Sequence, residues 1–149
     1  MGESPVCPIG GLRKVLLAVD GSLHSEAALR EAIGIAKACT TKLWILSVIE
    51  VNPEFESLAP LLVEKAEQET RGLLDSMKKS AEKEGIECET LVHEGEEPYE
   101  FIVDEAEKKQ VDMIIMGRHG RKGLKRLLMG SVTSKVIGHA PCSVLVVKA

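Results

Sequence analysis

The chain has 149 residues, 44% hydrophobic and 28% charged, which is typical of a globular protein that buries a single core. Its net charge of −4 argues against general binding to nucleic acids or anionic membrane surfaces, and 3% aromatic residues are too few to stack bases. No apolar run approaches the length of a transmembrane helix, and residues 1–14 lack the features of a secretory signal.

The four cysteines are Cys7, Cys39, Cys88 and Cys142, far apart in the sequence and without a C-x-x-C pair. This spacing favours unpaired thiols in a reducing compartment. We therefore expect a cytoplasmic protein in which Cys39 and Cys142 are small core residues.

Apolar runs alternate with amphipathic segments along the first half of the chain. Residues 1–12, with two prolines and three glycines, are expected to form a flexible lead-in. Residues 13–19 predict a fully buried strand, and a helix is expected to start near Ser25. Residues 42–51 predict a second strand, which ends at Asn52 and the proline after it.

The longest helical pattern runs over about residues 58–84. Its apolar residues recur at helical spacing and define an inner face: Leu62, Ala66, Leu73, Met77 and Ala81. Residues 87–93 alternate as an edge strand would, and Pro98 opens a helix through Lys109. A buried strand before Gly117, a helix from Ser131 to Gly138 and a last strand over Ser143–Val147 complete the chain.

This alternation of strands and helices predicts an α/β fold. The strands are expected to form a parallel sheet with helices on both faces and right-handed crossovers. We find no linker or internal repeat, so residues 13–149 are expected to form a single domain.

A glycine-containing loop follows the predicted strand over residues 113–116. Gly117 and Gly120 permit a tight turn and close approach to a ligand, and Gly130-Ser131 stands where a helix begins, with Ser131 as a candidate N-cap or first-turn residue. Helix N-termini attract anions, and several basic residues but no acidic ones lie between Gly117 and Gly130. This pattern favours a phosphate-binding loop over the alternative, a structural turn with solvated basic side chains.

The spacing Gly117-x2-Gly120-x9-Gly130-Ser131 is similar to the signature G-x2-G-x9-G-[ST] of the universal stress protein family, in its ATP-binding branch. The segments VLLAVDGS, LSVIE and PCSVLVV also resemble this family, and the similarity extends over residues 13–148. The P-loop and Rossmann glycine patterns are both absent.

The resemblance implies a five-stranded parallel sheet of order 3-2-1-4-5, which is flavodoxin-like and similar to adenine nucleotide alpha hydrolases. In such a sheet a ligand binds at the carboxyl ends of the strands where the order reverses. These ends carry Asp20 and Gly117.

By the same resemblance, the nucleotide would contact residues from three strand ends and the start of the last helix. Asp20 would lie near the ribose or a phosphate-bound metal, and Val48 would read adenine through its backbone. The complete set implied is Ala18, Val19, Asp20, Val48, Met116, Gly117, Arg118, His119, Gly120, Gly130, Ser131, Val132 and Thr133. The alternative roles are a cap of its own turn for Asp20, core positions for Val48 and Met116, and exposure to solvent for Arg118 and His119.

The sequence therefore predicts an adenine-nucleotide-binding universal stress protein that responds to ATP, ADP or AMP, with Mg²⁺ accompanying the phosphates. No catalytic residues or metal ligands stand out, although a slow Mg²⁺-dependent ATPase and a stress dimer without nucleotide remain alternatives. The apolar strand Ser143–Val147 at a sheet edge is expected to pair with its copy in a homodimer.

Overall fold

The computed structural model describes Cys7, residues 9–118 and residues 129–148. These residues form five strands and five helices in alternation. The strands are β1 (Lys14–Ala18), β2 (Lys42–Glu50), β3 (Cys88–Gly95), β4 (Met113–Gly117) and β5 (Ser143–Val147). The helices are α1 (Leu23–Cys39), α2 (Pro53–Leu58), α3 (Pro60–Lys83), α4 (Pro98–Lys109) and α5 (Ser131–His139).

The sheet has the order β3-β2-β1-β4-β5, and each described pair of strands is parallel, which confirms the predicted fold class. Ala18 at the end of β1 pairs with Leu46 on one side and Met116 on the other. The order reverses between β1 and β4, so their carboxyl ends border a crevice.

Apolar side chains pack on both faces of the sheet, because successive residues of a strand point to opposite sides. On one face Leu17 and Ile115 pack with the alanines of α1 and with residues of α3 such as Leu74. On the other face Leu16 and Ile114 pack with residues of α4 and α5. This double burial explains why the strands read as continuous apolar runs.

The helix boundaries differ from the sequence expectation in two places. α1 begins at Leu23, two residues earlier than predicted, because the Ser22 side chain caps it by accepting from the Ser25 N–H. The longest predicted helix begins at Pro60, and a separate short helix that the sequence did not predict, α2, precedes it with Asn52 as its N-cap. The prediction that Leu62 lies on the inner face is wrong, because 59% of this residue is exposed.

The cysteine pairing also corrects the sequence expectation. Cys7 and Cys39 form a disulfide, so these two residues are not unpaired thiols. Gly11, with φ of 78°, lies in a turn that directs the preceding chain back toward the end of α1. Leu12, within the predicted lead-in, is buried. None of the helices in the described ranges is long and apolar enough to cross a membrane.

A buried carboxylate links α4 to β3. Glu105 is 7% exposed, and its carboxylate accepts from Lys109 Nζ at 2.7 Å and lies 3.1 Å from His93 Nε2. Burial alone would raise the Glu105 pKa, but these two partners outweigh it and hold the pKa below its ordinary value.

Because the folded-state pKa of Glu105 is depressed, its carboxylate stabilises the fold above the unfolded pKa of about 4.3 and loses this effect as pH falls. We expect Glu105→Gln to lower the free energy of unfolding by about 1–3 kcal/mol at pH 7. The deficit should shrink below pH 4. Urea denaturation followed by Trp44 fluorescence at both pH values measures this, with the exposed Glu107→Gln as control. An equal deficit at both pH values would contradict the assignment.

Candidate functional site

A cavity of about 810 Å³ lies at the carboxyl ends of β1, β2 and β4. Its walls also include α3 and the starts of α4 and α5. Its volume is in the range of small-molecule and cofactor sites. The crevice that the strand order predicts is thus present.

Most of the residues predicted from the sequence line this cavity. They are Ala18, Val19, Asp20, Val48, Met116, Gly117, Gly130, Ser131, Val132 and Thr133. Arg118 is not among the lining residues. His119 and Gly120 lie outside the described residues.

Backbone hydrogen bonds close the connection between β4 and α5. The Arg118 N–H donates to the Val147 carbonyl at 3.1 Å, and the Arg118 carbonyl accepts from the Gly130 N–H at 2.8 Å. These bonds fix both ends of the intervening segment at the end of the sheet. The Gly130 N–H is therefore engaged with the protein itself.

The first turn of α5 presents unused donors to the cavity. Gly130 caps this helix without a side-chain hydrogen bond, and the Ser134 N–H makes the first helical bond, to the Gly130 carbonyl at 3.0 Å. Within the described part of the chain, the N–H groups of Ser131, Val132 and Thr133 have no acceptor. No acidic residue lies in this turn, so its partial positive charge is not neutralised locally.

The Thr133 side chain connects α5 to β4. Its hydroxyl is buried and donates to the Gly117 carbonyl at 2.9 Å. A hydroxyl has one proton, so this one is not available to a bound anion. Any contribution of Thr133 to anion binding would therefore come from its backbone N–H, a distinction that the sequence pattern did not reveal.

The two glycines at the cavity meet different demands. A Cβ on Gly117 would lie 2.6 Å from His24 Cβ and 3.0 Å from the His24 backbone, so a glycine is needed for α1 to pack against β4. Gly130 has φ of −68° and ψ of 158°, an extended conformation open to other residues. Its backbone conformation therefore does not require glycine.

Asp20 belongs to a compact hydrogen-bonded turn at the end of β1. Its Oδ1 accepts from the Ser22 N–H at 3.0 Å and from the Ser25 hydroxyl at 2.8 Å. The Asp20 N–H in turn donates to Ser25 Oγ at 2.8 Å. The expected turn-capping role of Asp20 is thus real, and the buried Ser25 holds its carboxylate at the cavity wall.

Sequence reasoning missed the wall that α3 contributes. Ala66, Glu69, Thr70 and Leu73 of this helix line the cavity, as do Ser25, Ser47 and Ile49. The pattern of α3 placed Ala66 and Leu73 on an inner face, but periodicity does not tell a core contact from a cavity wall.

Charge is unevenly distributed around the cavity. Carboxylates of Glu50, Glu69, Glu96 and Glu97 belong to its lining, together with Lys135 of α5. Lys135 Nζ lies 3.0 Å from Glu97 Oε2, a hydrogen bond that raises the Lys135 pKa. The acidic residues come from the end of β1, where Asp20 lies, from β2 and α3, and from the residues just before α4, whereas the free N–H groups lie at α5.

The chain belongs to the universal stress protein family, whose sequence pattern matches residues 11–148. Universal stress protein MJ0531 of Methanocaldococcus jannaschii is 39% identical over 140 residues, which cover 91% of this chain and 82% of that protein. The solved structure of hypothetical protein MJ0577 is 34% identical, with a TM-score of 0.86, and covers 93% of this chain and 96% of its own.

Two solved structures with the same fold contain nucleotides. A universal stress protein in complex with cAMP is 24% identical, with a TM-score of 0.68, over 92% of this chain and 97% of its own. A universal stress family protein from Arabidopsis thaliana with AMP bound is 20% identical, with a TM-score of 0.67, over 91% of both chains.

We expect Gly117→Ala to lower the free energy of unfolding by about 1–3 kcal/mol, because the new methyl group would overlap the first turn of α1. Gly72→Ala is the matched control. A Cβ at Gly72 meets nothing within 4 Å in a helix interior, so this change should be neutral or stabilise by up to about 1 kcal/mol. Urea denaturation measures both, and wild-type stability of Gly117→Ala would contradict the packing role.

Proposed function

We propose that this protein binds an adenine nucleotide in the cavity and acts as a nucleotide-responsive module of the stress response in the cytoplasm. The observation that carries this proposal is the start of α5, where the N–H groups of Ser131, Val132 and Thr133 lack acceptors among the described residues. Such a group of donors at a helix N-terminus suits a phosphate.

The environment of the α5 start supports an anionic ligand. No acidic residue lies in the first turn of α5, so the partial positive charge of the helix start is available to an anion. Gly130 would let phosphate oxygens approach the backbone, because no side chain stands between them.

The opposite side of the cavity suits a nucleoside. Met116, Val48 and Leu73 provide apolar surface against which a planar base would pack. The carboxylates of Asp20 and Glu69 are hydrogen-bond acceptors of the kind that ribose hydroxyls and an exocyclic amino group satisfy. In this proposal the phosphates lie at the first turn of α5, which carries no acidic residue.

Magnesium would enter with the phosphates. No cluster of three or more His, Cys, Asp or Glu side chains suitable for a metal exists in the described part of the chain. Mg²⁺ retains several waters and binds through phosphate oxygens with few protein ligands, so a nucleotide could bring the ion with it. We propose ATP, ADP or AMP as the nucleotide.

Relatives support the ligand class. Structures of two proteins with this fold contain cAMP and AMP, both adenine nucleotides. At 24% and 20% identity they share the fold with this chain, so the argument for binding depends on its own cavity.

We expect Gly130→Val to weaken adenine-nucleotide binding at least about tenfold, because an isopropyl group would fill the space next to the α5 donors. Stability should change little, since valine adopts the Gly130 conformation readily. Isothermal titration calorimetry with ATP and Mg²⁺ measures the affinity.

Gly138→Val is the matched control, because it adds the same group to the other end of α5, where a Cβ meets nothing within 4 Å. It should bind nucleotide like the wild type. Full affinity in a folded Gly130→Val protein would show that the phosphates bind elsewhere.

We also propose that the protein forms a homodimer through β5. This strand lies at the sheet edge, and its side chains from Val144 to Val147 are partly exposed. The Val147 carbonyl points to β4, where it accepts from Arg118. Backbone groups alternate in direction along a strand, so those of Val144 and Val146 point to the open edge.

Val146→Pro should therefore convert the dimer to a monomer, because it removes an outward N–H without breaking a bond to β4. Val146→Thr keeps this N–H and should remain dimeric. Sedimentation velocity at micromolar concentration distinguishes the two forms. A monomeric wild-type protein, or a dimeric Val146→Pro variant, would refute the edge-strand interface.

A further inference from the structure

The Cys7–Cys39 pair lies at the opposite end of α1 from the cavity. Ser25 in the first turn lines the cavity, and Cys39 is the last residue of the helix. The fourteen-residue separation corresponds to about 21 Å along a helix. A chemical change at the cysteine pair therefore does not touch the nucleotide site directly.

The disulfide is a tether for the chain that precedes Leu12. The Cα atoms of Cys7 and Cys39 are 4.5 Å apart, within the range of disulfides, and both residues pack at the border of the core. The turn at Gly11 brings this segment back to α1. No other hydrogen bond or ion pair between α1 and residues 7–11 occurs in the described ranges.

The chain after this segment is anchored independently. Leu12 is buried, and its carbonyl accepts from the Thr41 hydroxyl at 3.0 Å. The N–H groups of Arg13 and Lys14 both donate to Asp112 Oδ2 at 2.9 Å. Cleavage of the disulfide would therefore leave β1 in place and, among the described residues, free only Cys7 and residues 9–11.

We propose that Cys7 and Cys39 form a reversible thiol–disulfide site. When oxidised, it fastens the segment of Cys7 and residues 9–11 to the end of α1, and when reduced, it releases this segment. The oxidant is a low-molecular-weight disulfide of the glutathione class. This inference is independent of the proposed nucleotide binding.

The exchange balances in two steps. The thiolate of one cysteine attacks a sulfur of glutathione disulfide, which forms a mixed disulfide and releases one glutathione. The second cysteine then attacks the protein sulfur of that mixed disulfide and displaces the other glutathione. Two protein thiols are oxidised, one glutathione disulfide is reduced, and the two thiol protons pass to the two glutathiones.

The other cysteines are poorly placed to compete. Cys88 is buried, which raises its thiol pKa to about 11, and burial also raises the pKa of Cys142. Reactivity requires the thiolate, so both react slowly near neutral pH. Cys7 and Cys39 are partly exposed, so a small disulfide or thiol has access to them.

The test equilibrates the full-length protein at a series of ratios of reduced to oxidised glutathione, followed by acid quench, alkylation and peptide mass spectrometry. We expect a linked Cys7–Cys39 peptide that disappears reversibly as the ratio rises, with Cys88 and Cys142 alkylated after unfolding throughout. Separate alkylation of Cys7 and Cys39 at the most oxidising ratio would overturn the proposal. A Cys7–Cys39 disulfide that is reduced only when the protein unfolds would also overturn it.

NMR relaxation of the backbone amides then tests the release. Reduction should lower the order parameters of residues 9–11 to below about 0.6 and leave those of β1 unchanged, and the melting temperature should fall by roughly 5–15 °C. Cys7→Ser should reproduce the reduced state under oxidising conditions, whereas Cys142→Ser should not. Order parameters in Cys7→Ser equal to those of the oxidised wild type would overturn the tether. Nucleotide affinity should be the same in both redox states.

Discussion

The candidate site depends on the attachment of the start of α5 to the end of β4. Two backbone bonds of Arg118 close this connection, and the Thr133 hydroxyl donates to the Gly117 carbonyl from within the helix. Because these bonds use groups of the protein itself, the helix start is fixed before any ligand arrives. The three remaining N–H groups of its first turn are thus preorganised donors at the cavity.

Two glycines of the same short sequence pattern lie at this attachment, and they differ in whether the structure requires a glycine there. Gly117 allows the backbone of α1 to approach β4, since a methyl group added at this position would overlap His24. Gly130 has an extended backbone that imposes no such need. A spacing that reads as one phosphate-binding motif therefore contains glycines whose physical requirements differ.

Residue patterns predicted the local parts of this molecule, the family resemblance supplied the strand order, and other long-range contacts were not predicted. Strands buried on both faces, such as Val15 to Ala18, leave an unmistakable apolar run. Leu62 followed the helical pattern yet is exposed, because periodicity does not show which turns of a long helix are covered. The Cys7–Cys39 pair joins residues 32 positions apart, and the hydrogen bond of Thr133 spans 16. Spacing along the chain does not encode such contacts.

The central claim is that the donors at the α5 start hold the phosphates of an adenine nucleotide. Its most direct test is chromatography of the nucleotide released when the freshly purified protein is denatured, combined with titration of the emptied protein with ATP and Mg²⁺. We expect about one adenine nucleotide per chain, either released from the purified protein on denaturation or bound by the emptied protein in the titration. A protein that is purified empty and fails to bind added ATP with Mg²⁺ would contradict it and leave the glycine loop as a structural turn.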